Sequence, residues 1–305
     1  MPHIPLMLPD GVDKKDAIRV LVTGYGPFRG YAVNPSWLAV KELQNVVLQA
    51  ESASKPVVVD DQQVISEHPL SHKNKPIHIS VLKVPVVYES VLSIVPGLHA
   101  KPPVLPPSGD EDLPDGPPPP AEGYDLIVHV GVAGPGMMRI EKLAHKYGYD
   151  LPDAEGKFAP EIESLSDERS VGKLSVAEYY ERARLKYELK RPIGEYVLRG
   201  FGEGYEPFEE ELKTDIGGDK LVEYLHSVGV DSVKPSIDAG RYLCDFIYYC
   251  SLAESLRPLA SQTDERGCKR SKVLFVHCPP VDEPLSTQYV TDALKHIVSW
   301  ICGQT

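Results

Sequence analysis

Cysteine is sparse in this chain: Cys244, Cys250, Cys268, Cys278 and Cys302 are the whole set, all in the last third and without a C-x-x-C pair. An odd, clustered count of this kind excludes the disulfide framework of a small secreted domain and the ligand spacing of a zinc ribbon. Reduced thiols are the natural reading, and one of them can be reactive. Basic charge is also short, with 32 Lys and Arg against 44 Asp and Glu and a net charge of -12. A polyanion would be repelled over most of such a surface, so no nucleic-acid partner is expected. No stretch reaches the ~20 uninterrupted apolar residues that span a bilayer, and the opening M-P-H-I-P-L-M-L-P-D-G lacks a basic leader followed by an apolar run. The expectation is a cytoplasmic protein with no membrane partner.

A third glycine is missing where a dinucleotide loop would need it. G-Y-G-P-F-R-G at 24–30 follows an apolar run, but Arg29 stands three residues after Gly26 and Pro27 removes a backbone N–H that could face a phosphate. No nucleotide cofactor is expected. The turn instead carries two rings, Tyr25 and Phe28, which either cap a core or face a small flat ligand.

What the chain has in quantity is alternation. I-R-V-L-V-T (18–23) reads as a buried strand, and N-P-S-W-L-A-V-K-E-L predicts a helix over about 35–46 with proline at its first position. I-H-I-S-V-L-K-V (77–84) reads as a strand and 87–99 as a helix; strand signals resume at Y-D-L-I-V-H-V-G-V and K-V-L-F-V-H, and helical ones at D-K-L-V-E-Y-L, L-C-D-F-I-Y-Y-C-S-L and V-T-D-A-L-K-H-I-V-S-W-I. Strands alternating with helices predict a three-layer α/β/α sandwich with a twisted, largely parallel or mixed central sheet. Residues 1–16 read as a flexible tail and 17–305 as a single α/β domain. Proline, 29 of the 305 residues, is about twice its usual share of ~5%. Much of that excess falls in a segment at about 101–123, too poor in large apolar residues to pack and read as a flexible insertion. A second, polar insertion is expected at about 152–212, although V-A-E-Y-Y-E-R-A-R-L-K-Y within it has helical periodicity.

One cysteine is placed for chemistry. In S-I-D-A-G-R-Y-L-C-D-F-I-Y-Y, turn residues give way to helical periodicity, so Cys244 falls in the first turns of a helix near Arg241. Unpaired N–H groups and the helix dipole there are expected to lower its pKa. Free cysteines are more often buried than catalytic, and Cys250 and Cys302, on apolar helical faces, keep that plainer reading. A thiol catalyst needs a base, and His277 ends the strand V-L-F-V-H, at the strand terminus where α/β sites form. Cys278 then points to the other face, and His129 and His145 read as satisfied polar residues. Glu141, in R-I-E-K-L-A-H, is a carboxylate on a short apolar element; it can pair with Lys142 or Arg139, or orient a histidine.

Four blocks together resemble the pyroglutamyl peptidase I family of cysteine peptidases. V-L-V-T-G-Y-G-P-F-R-G-Y-A-V-N-P-S-W-L-A-V-K-E-L is similar to its amino-terminal signature, D-A-G-R-Y-L-C-D to its cysteine signature, V-H-V-G-V-A-G with I-E-K-L-A-H to its glutamate signature, and F-V-H-C-P-P to its histidine segment. The resemblance implies an α/β sandwich fold and release of an amino-terminal pyroglutamyl (5-oxoproline) residue from peptides. Cys244 would be nucleophile, His277 general base then acid, and Glu141 the group that orients the imidazole. The N–H of Cys244 would serve as oxyanion donor. Tyr25, Phe28 and Tyr242 would sandwich the uncharged lactam, and Asn34 would shape the turn beside it. No metal or cofactor is implied, and an oligomer is possible without being implied. Two departures stand out: the approach to Glu141 is slightly short, and Arg139 takes the place of a small hydroxyl residue. They motivate an alternative, a catalytically weak relative that binds pyroglutamyl peptides or a protein partner. Another cysteine amidase on the same scaffold is a third reading.

Overall fold

The computed structural model describes residues 17–28, 30–50, 75–107, 110, 112–162, 198–260 and 270–304. The predicted tail at 1–16 and the helical signal inside 152–212 lie outside these residues. Seven strands form one sheet in the order β2-β3-β1-β4-β9-β5-β8. The apolar runs supply its centre: β1 (Ile18–Tyr25), β3 (Pro76–Val84), β4 (Leu126–Val132) and β9 (Lys272–Cys278) pair in parallel, buried on both faces. β2 (Val47–Gln49) adds antiparallel to β3 at one edge. At the other edge β5 (Met138–Glu141) runs antiparallel to β9, and β8 (Val233–Ser236) lies parallel to β5. The sheet is therefore mixed and mostly parallel, as the alternating pattern predicts. β6 (Leu143–His145) and β7 (Glu211–Lys213) form a separate two-stranded ribbon.

Helices cover both faces. α1 (Pro35–Lys41), α3 (Gly218–Ser227) and α5 (Thr287–Gly303) pack with Val20, Val22, Val128, Val130, Leu274 and Val276 in one apolar core. α2 (Tyr88–Leu98) and α4 (Leu243–Ala260) cover the other face over Leu21, Ile127, Val273 and Phe275. Among the described residues no helix is long and apolar enough to cross a membrane.

α1 stops at Lys41, short of the predicted 46, because the chain turns there and Asn45 adopts a left-handed φ of 62°. The proline-rich segment contains neither helix nor strand in its described part, yet it is tied down. Asp110 accepts from Trp37 Nε1 (2.7 Å) and from Lys83 Nζ (3.2 Å), and the carbonyls of Pro114, Asp115 and Pro118 accept from Gln44, Asn45 and Arg19. Within the segment the Asp110 and Pro120 carbonyls accept from the N–H groups of Leu113 and Gly123; with no helix or ladder to pair the others, side chains of β1 and of the turn after α1 supply donors.

Candidate active site

Strand alternation puts a polar set on the α4 face of the sheet. His129 pairs in register with Thr23 and Phe275, and Phe275 with Glu141; two residues further along β4 and β9, Gly131 pairs with His277, and His277 with Arg139. Residues in register share a face, so Glu141 and His277 project to the same side. His277 Nδ1 lies 2.7 Å from Glu141 Oε1, with both side chains buried. An ionised carboxylate only accepts, so Nδ1 carries the proton and Nε2 is left as the base. Phe275 packs against the imidazole with ring centroids 4.8 Å apart. Burial pushes the Glu141 pKa up, but the bond and charge of His277, then Ser236 and Arg139, hold it below the ordinary carboxylate value. The short approach to Glu141 thus still delivers its carboxylate to His277.

α4 brings the cysteine to this pair. After β8 the chain turns at Gly240, which has φ +80° and donates its N–H to Asp238 Oδ1 (3.0 Å). Helix geometry begins at Leu243, and the N–H of Phe246 closes the first bond to the Tyr242 carbonyl (2.9 Å). Cys244 is therefore in the first turn, where N–H groups have no carbonyl four residues behind them. Its sulfur rests over Gly131: a methyl group there would stand 2.7 Å from Sγ and 2.8 Å from the Phe275 ring. Since Gly131 is the register partner of His277, the thiol stands over the β4 position beside the one that carries the imidazole.

The first turn of α4 is anchored on two sides. Tyr25 Oη donates to the Leu243 carbonyl (2.6 Å), tying the end of β1 to the helix. Buried Asp245 accepts from Tyr149 Oη (2.9 Å), the backbone N–H of His145 (3.3 Å) and His145 Nδ1 (3.3 Å). Burial pushes the Asp245 carboxyl up, against the pull of His145 and Arg241.

The thiol itself differs from expectation. Burial, then the Glu141 carboxylate, raise the Cys244 pKa well above the ordinary value, and Arg139 offsets only part of this. Desolvation and a neighbouring anion thus act against the lowering expected at a helix N-terminus. The thiol proton has to leave through a base rather than be lost in advance. Cys250 and Cys278 are fully buried, with pKa values pushed up to about 12, and Cys302 is buried as well; Cys244 alone among the described cysteines reaches the surface. Cys268 lies outside the described residues.

The aromatic residues divide into two roles. Phe28 and Tyr242 face each other with centroids 5.5 Å apart and planes tilted by 38°, immediately before the cysteine. Tyr242 Oη is fixed by the Pro152 carbonyl (3.0 Å) and its ring by the edge of Tyr88 (6.1 Å). Tyr25 is buried and held by its bond to α4. Asn34 caps α1: Oδ1 accepts from Ser36 N (3.1 Å) and Oγ (2.9 Å), and Nδ2 donates to the Gly26 carbonyl (3.2 Å). It fixes the turn that carries Phe28. A cleft of about 480 Å³ runs from Tyr25 and Asn34 to Asp110 and Pro114. Cys244, His277 and Glu141 do not line it.

Three features of the site escaped the sequence reading: the Gly131 floor, the Asp245 anchor and the Thr23–His129 pair (2.8 Å). A glycine inside the apolar strand V-H-V-G-V was the available signal for the first. His129 and His145 do have polar partners, as expected, although His129 Nε2 finds none among the described residues. Among the described residues no group of three or more His, Cys, Asp or Glu could hold a metal ion.

Comparison with known proteins finds similarity to pyroglutamyl peptidases in sequence and in fold. A family model described as pyroglutamyl peptidase matches residues 18–92. Pyroglutamyl-peptidase 1 of Rattus norvegicus is 26% identical over 286 residues, covering 93% of this chain and 90% of that protein. The Homo sapiens protein of the same name is 25% identical over 281 residues, covering 92% and 87%. Among solved structures, pyroglutamyl peptidase I of Bacillus amyloliquefaciens aligns with a TM-score of 0.51 at 21% identity, over 92% of this chain and 94% of the other. Pyrrolidone carboxyl peptidase of Pyrococcus furiosus gives 0.53 at 18%, over 92% and 96%. At those identities the structural matches speak for the fold.

Proposed function

This chain belongs to the pyroglutamyl peptidase family of cysteine-type peptidases, and from that premise we propose that it releases an amino-terminal pyroglutamyl residue from peptides by Cys244, His277 and Glu141 acting together. The observation that carries this reading is the buried 2.7 Å contact between His277 Nδ1 and Glu141 Oε1 beside the glycine over which Cys244 Sγ rests. His277 Nε2 takes the thiol proton as sulfur attacks the pyroglutamyl carbonyl carbon. Glu141 favours the imidazolium that forms. The N–H of Cys244 receives the oxyanion, and the imidazolium returns the proton to the leaving amine as the C–N bond breaks. Water, deprotonated by His277, then hydrolyses the thioester and frees pyroglutamate and the thiol.

Phe28 and Tyr242 supply walls for the lactam, with Tyr25 behind them and Asn34 holding the turn. An uncharged ring suits such walls better than a salt bridge would. The working unit is one α/β domain, and the unpaired thiols of the described cysteines suit the cytoplasm. A fluorogenic pyroglutamyl amide tests the proposal: reduced wild-type protein hydrolyses it and Cys244→Ala does not. Equal rates for the two would overturn it.

A further inference from the structure

The register of the sheet continues past the base. Gly131 pairs with His277, His277 with Arg139, and Arg139 with Lys234, so these four positions form one line across β4, β9, β5 and β8 on the α4 face. Val233 and Met138, one residue earlier on β8 and β5, belong to the opposite core, which fixes the face of Lys234. The thiol stands over the first position, and Phe28 and Tyr242, the walls for the acyl group, stand on the α4 and β1 side of it. The base that accepts the thiol proton returns it to the leaving nitrogen, so the leaving residue lies towards His277. Beyond His277 the next side chains in line are Arg139 and Lys234.

Neither cation is consumed by a structural bond. Arg139 approaches Glu141 Oε1 only through Nε, at 3.7 Å, too long for a hydrogen bond, and its side chain is 28% exposed. Its terminal amino groups make no hydrogen bond to a described residue. Lys234 is exposed and has no ion pair among the described residues. Two adjacent cations beside the base stand out in a chain of net charge -12.

We propose that Arg139, assisted by Lys234, forms a subsite for a carboxylate on the leaving residue. The carboxylate is either the side chain of an Asp or Glu that follows pyroglutamate, or the α-carboxylate when the substrate is a dipeptide. A guanidinium with free amino groups binds a carboxylate through a two-pronged contact, and the neighbouring ammonium adds long-range attraction. The proposal rests on the pyroglutamyl reading above, and its test separates the two.

The test measures pyroglutamate release, as kcat/KM, from pyroglutamyl-Glu-amide, pyroglutamyl-Gln-amide and pyroglutamyl-Lys-amide, and from pyroglutamyl-Gln with a free carboxylate. Wild type is expected to favour the Glu over the Gln amide by about tenfold and to disfavour the Lys amide. Preference for free pyroglutamyl-Gln over its amide would assign the site to the α-carboxylate; preference confined to the Glu amide would assign it to the side chain. Arg139→Gln brings the ratios close to one, Arg139→Lys retains part of them, and Lys234→Gln weakens them. Because each is a ratio, a general loss of rate in a variant cancels. Should Arg139→Gln fail to fold, Lys234→Gln and the fall of the ratios in about 1 M salt carry the test. Wild type with ratios near one, or Arg139→Gln with unchanged ratios, overturns the subsite alone. No release from any of the four peptides overturns the pyroglutamyl reading and the subsite with it.

Discussion

The two faces of the central sheet are made from alternate residues of the same strands, yet they are built to different ends. On one face Val20, Val22, Val128, Val130, Leu274 and Val276 join α1, α3 and α5 in one apolar core. On the other, Thr23, His129, Glu141 and His277 stand in successive rows among Phe275, Tyr248 and Phe246. Each buried polar group there costs free energy unless it is paired, and most are: Glu141 to His277, His129 to Thr23, Asp245 to Tyr149 and His145. The apolar face supplies stability that the polar face draws down. Shifting any strand by one residue would exchange the two, so the register that builds the core also places the site.

The comparison breaks most sharply at the thiol. Cys244→Ala should lower kcat/KM by about 10⁴-fold or more while leaving the urea midpoint close to wild type, since only sulfur is lost from a partly exposed position. A midpoint that collapses with activity would mean that the first turn of α4 is held by the thiol rather than by Asp245 and Tyr25. Glu141→Gln comes next. It keeps the shape but loses the charge that favours an imidazolium, and a loss of about a thousandfold in kcat is expected with KM little changed. An unaltered kcat would remove Glu141 from the mechanism. Across the sheet, Leu274→Ala should do the reverse: a loss of about 2–5 kcal/mol in stability from the cavity left behind, with kcat/KM of the folded protein unchanged. If Leu274→Ala slows catalysis as strongly as it destabilises, the faces are not separable.

Part of this face division is legible in the sequence alone. The runs at 18–23 and 77–84 and the strand ending at His277 are apolar enough to be buried strands, and in the last of them His277 and Cys278 point to opposite faces. Cys244, His277 and Glu141 each stand out by local position, but only the resemblance of four short blocks joins them into one site, because three residues distant in sequence leave no local trace of their meeting. What stayed hidden depends on pairing. β5 is a four-residue strand running antiparallel in a sheet otherwise parallel at its centre; its register with β9 aligns Arg139 with His277, and its register with β8 aligns Arg139 with Lys234. Position in a helix also misled: Cys244 sits in the first turn as expected, but burial and Glu141 raise its pKa, and neither can be seen in the run D-A-G-R-Y-L-C-D. The proline-rich segment reads as unstructured because its hydrogen bonds go to Trp37, Lys83, Gln44 and Arg19, none of which is its neighbour in sequence.

The gentlest way to sharpen the comparison is to titrate it. His129 lies one row behind His277, fully buried, and burial followed by the influence of His99 brings its pKa from 6.5 down to about 3. Between those values the unfolded chain binds a proton that the folded chain refuses. Stability therefore falls as pH falls below about 6.5, with a limiting slope of about 1.4 kcal/mol per pH unit. His99, brought down to about 4 by burial, adds to the same trend. Glu141 works at lower pH, because its depressed folded pKa gives stability that is lost only as pH falls below the ordinary 4.5. Urea midpoints between pH 7 and pH 5 thus follow the histidines, with Asp245, whose carboxyl burial pushes up, acting in the opposite sense and cancelling in a comparison of variant with wild type. In His129→Asn, whose amide can still reach Thr23 Oγ1, the slope in that window should be shallower than wild type by about 1 kcal/mol per pH unit. Parallel slopes for the two proteins would show that His129 accepts its proton without unfolding, and that the polar face is more open to water than its packing indicates.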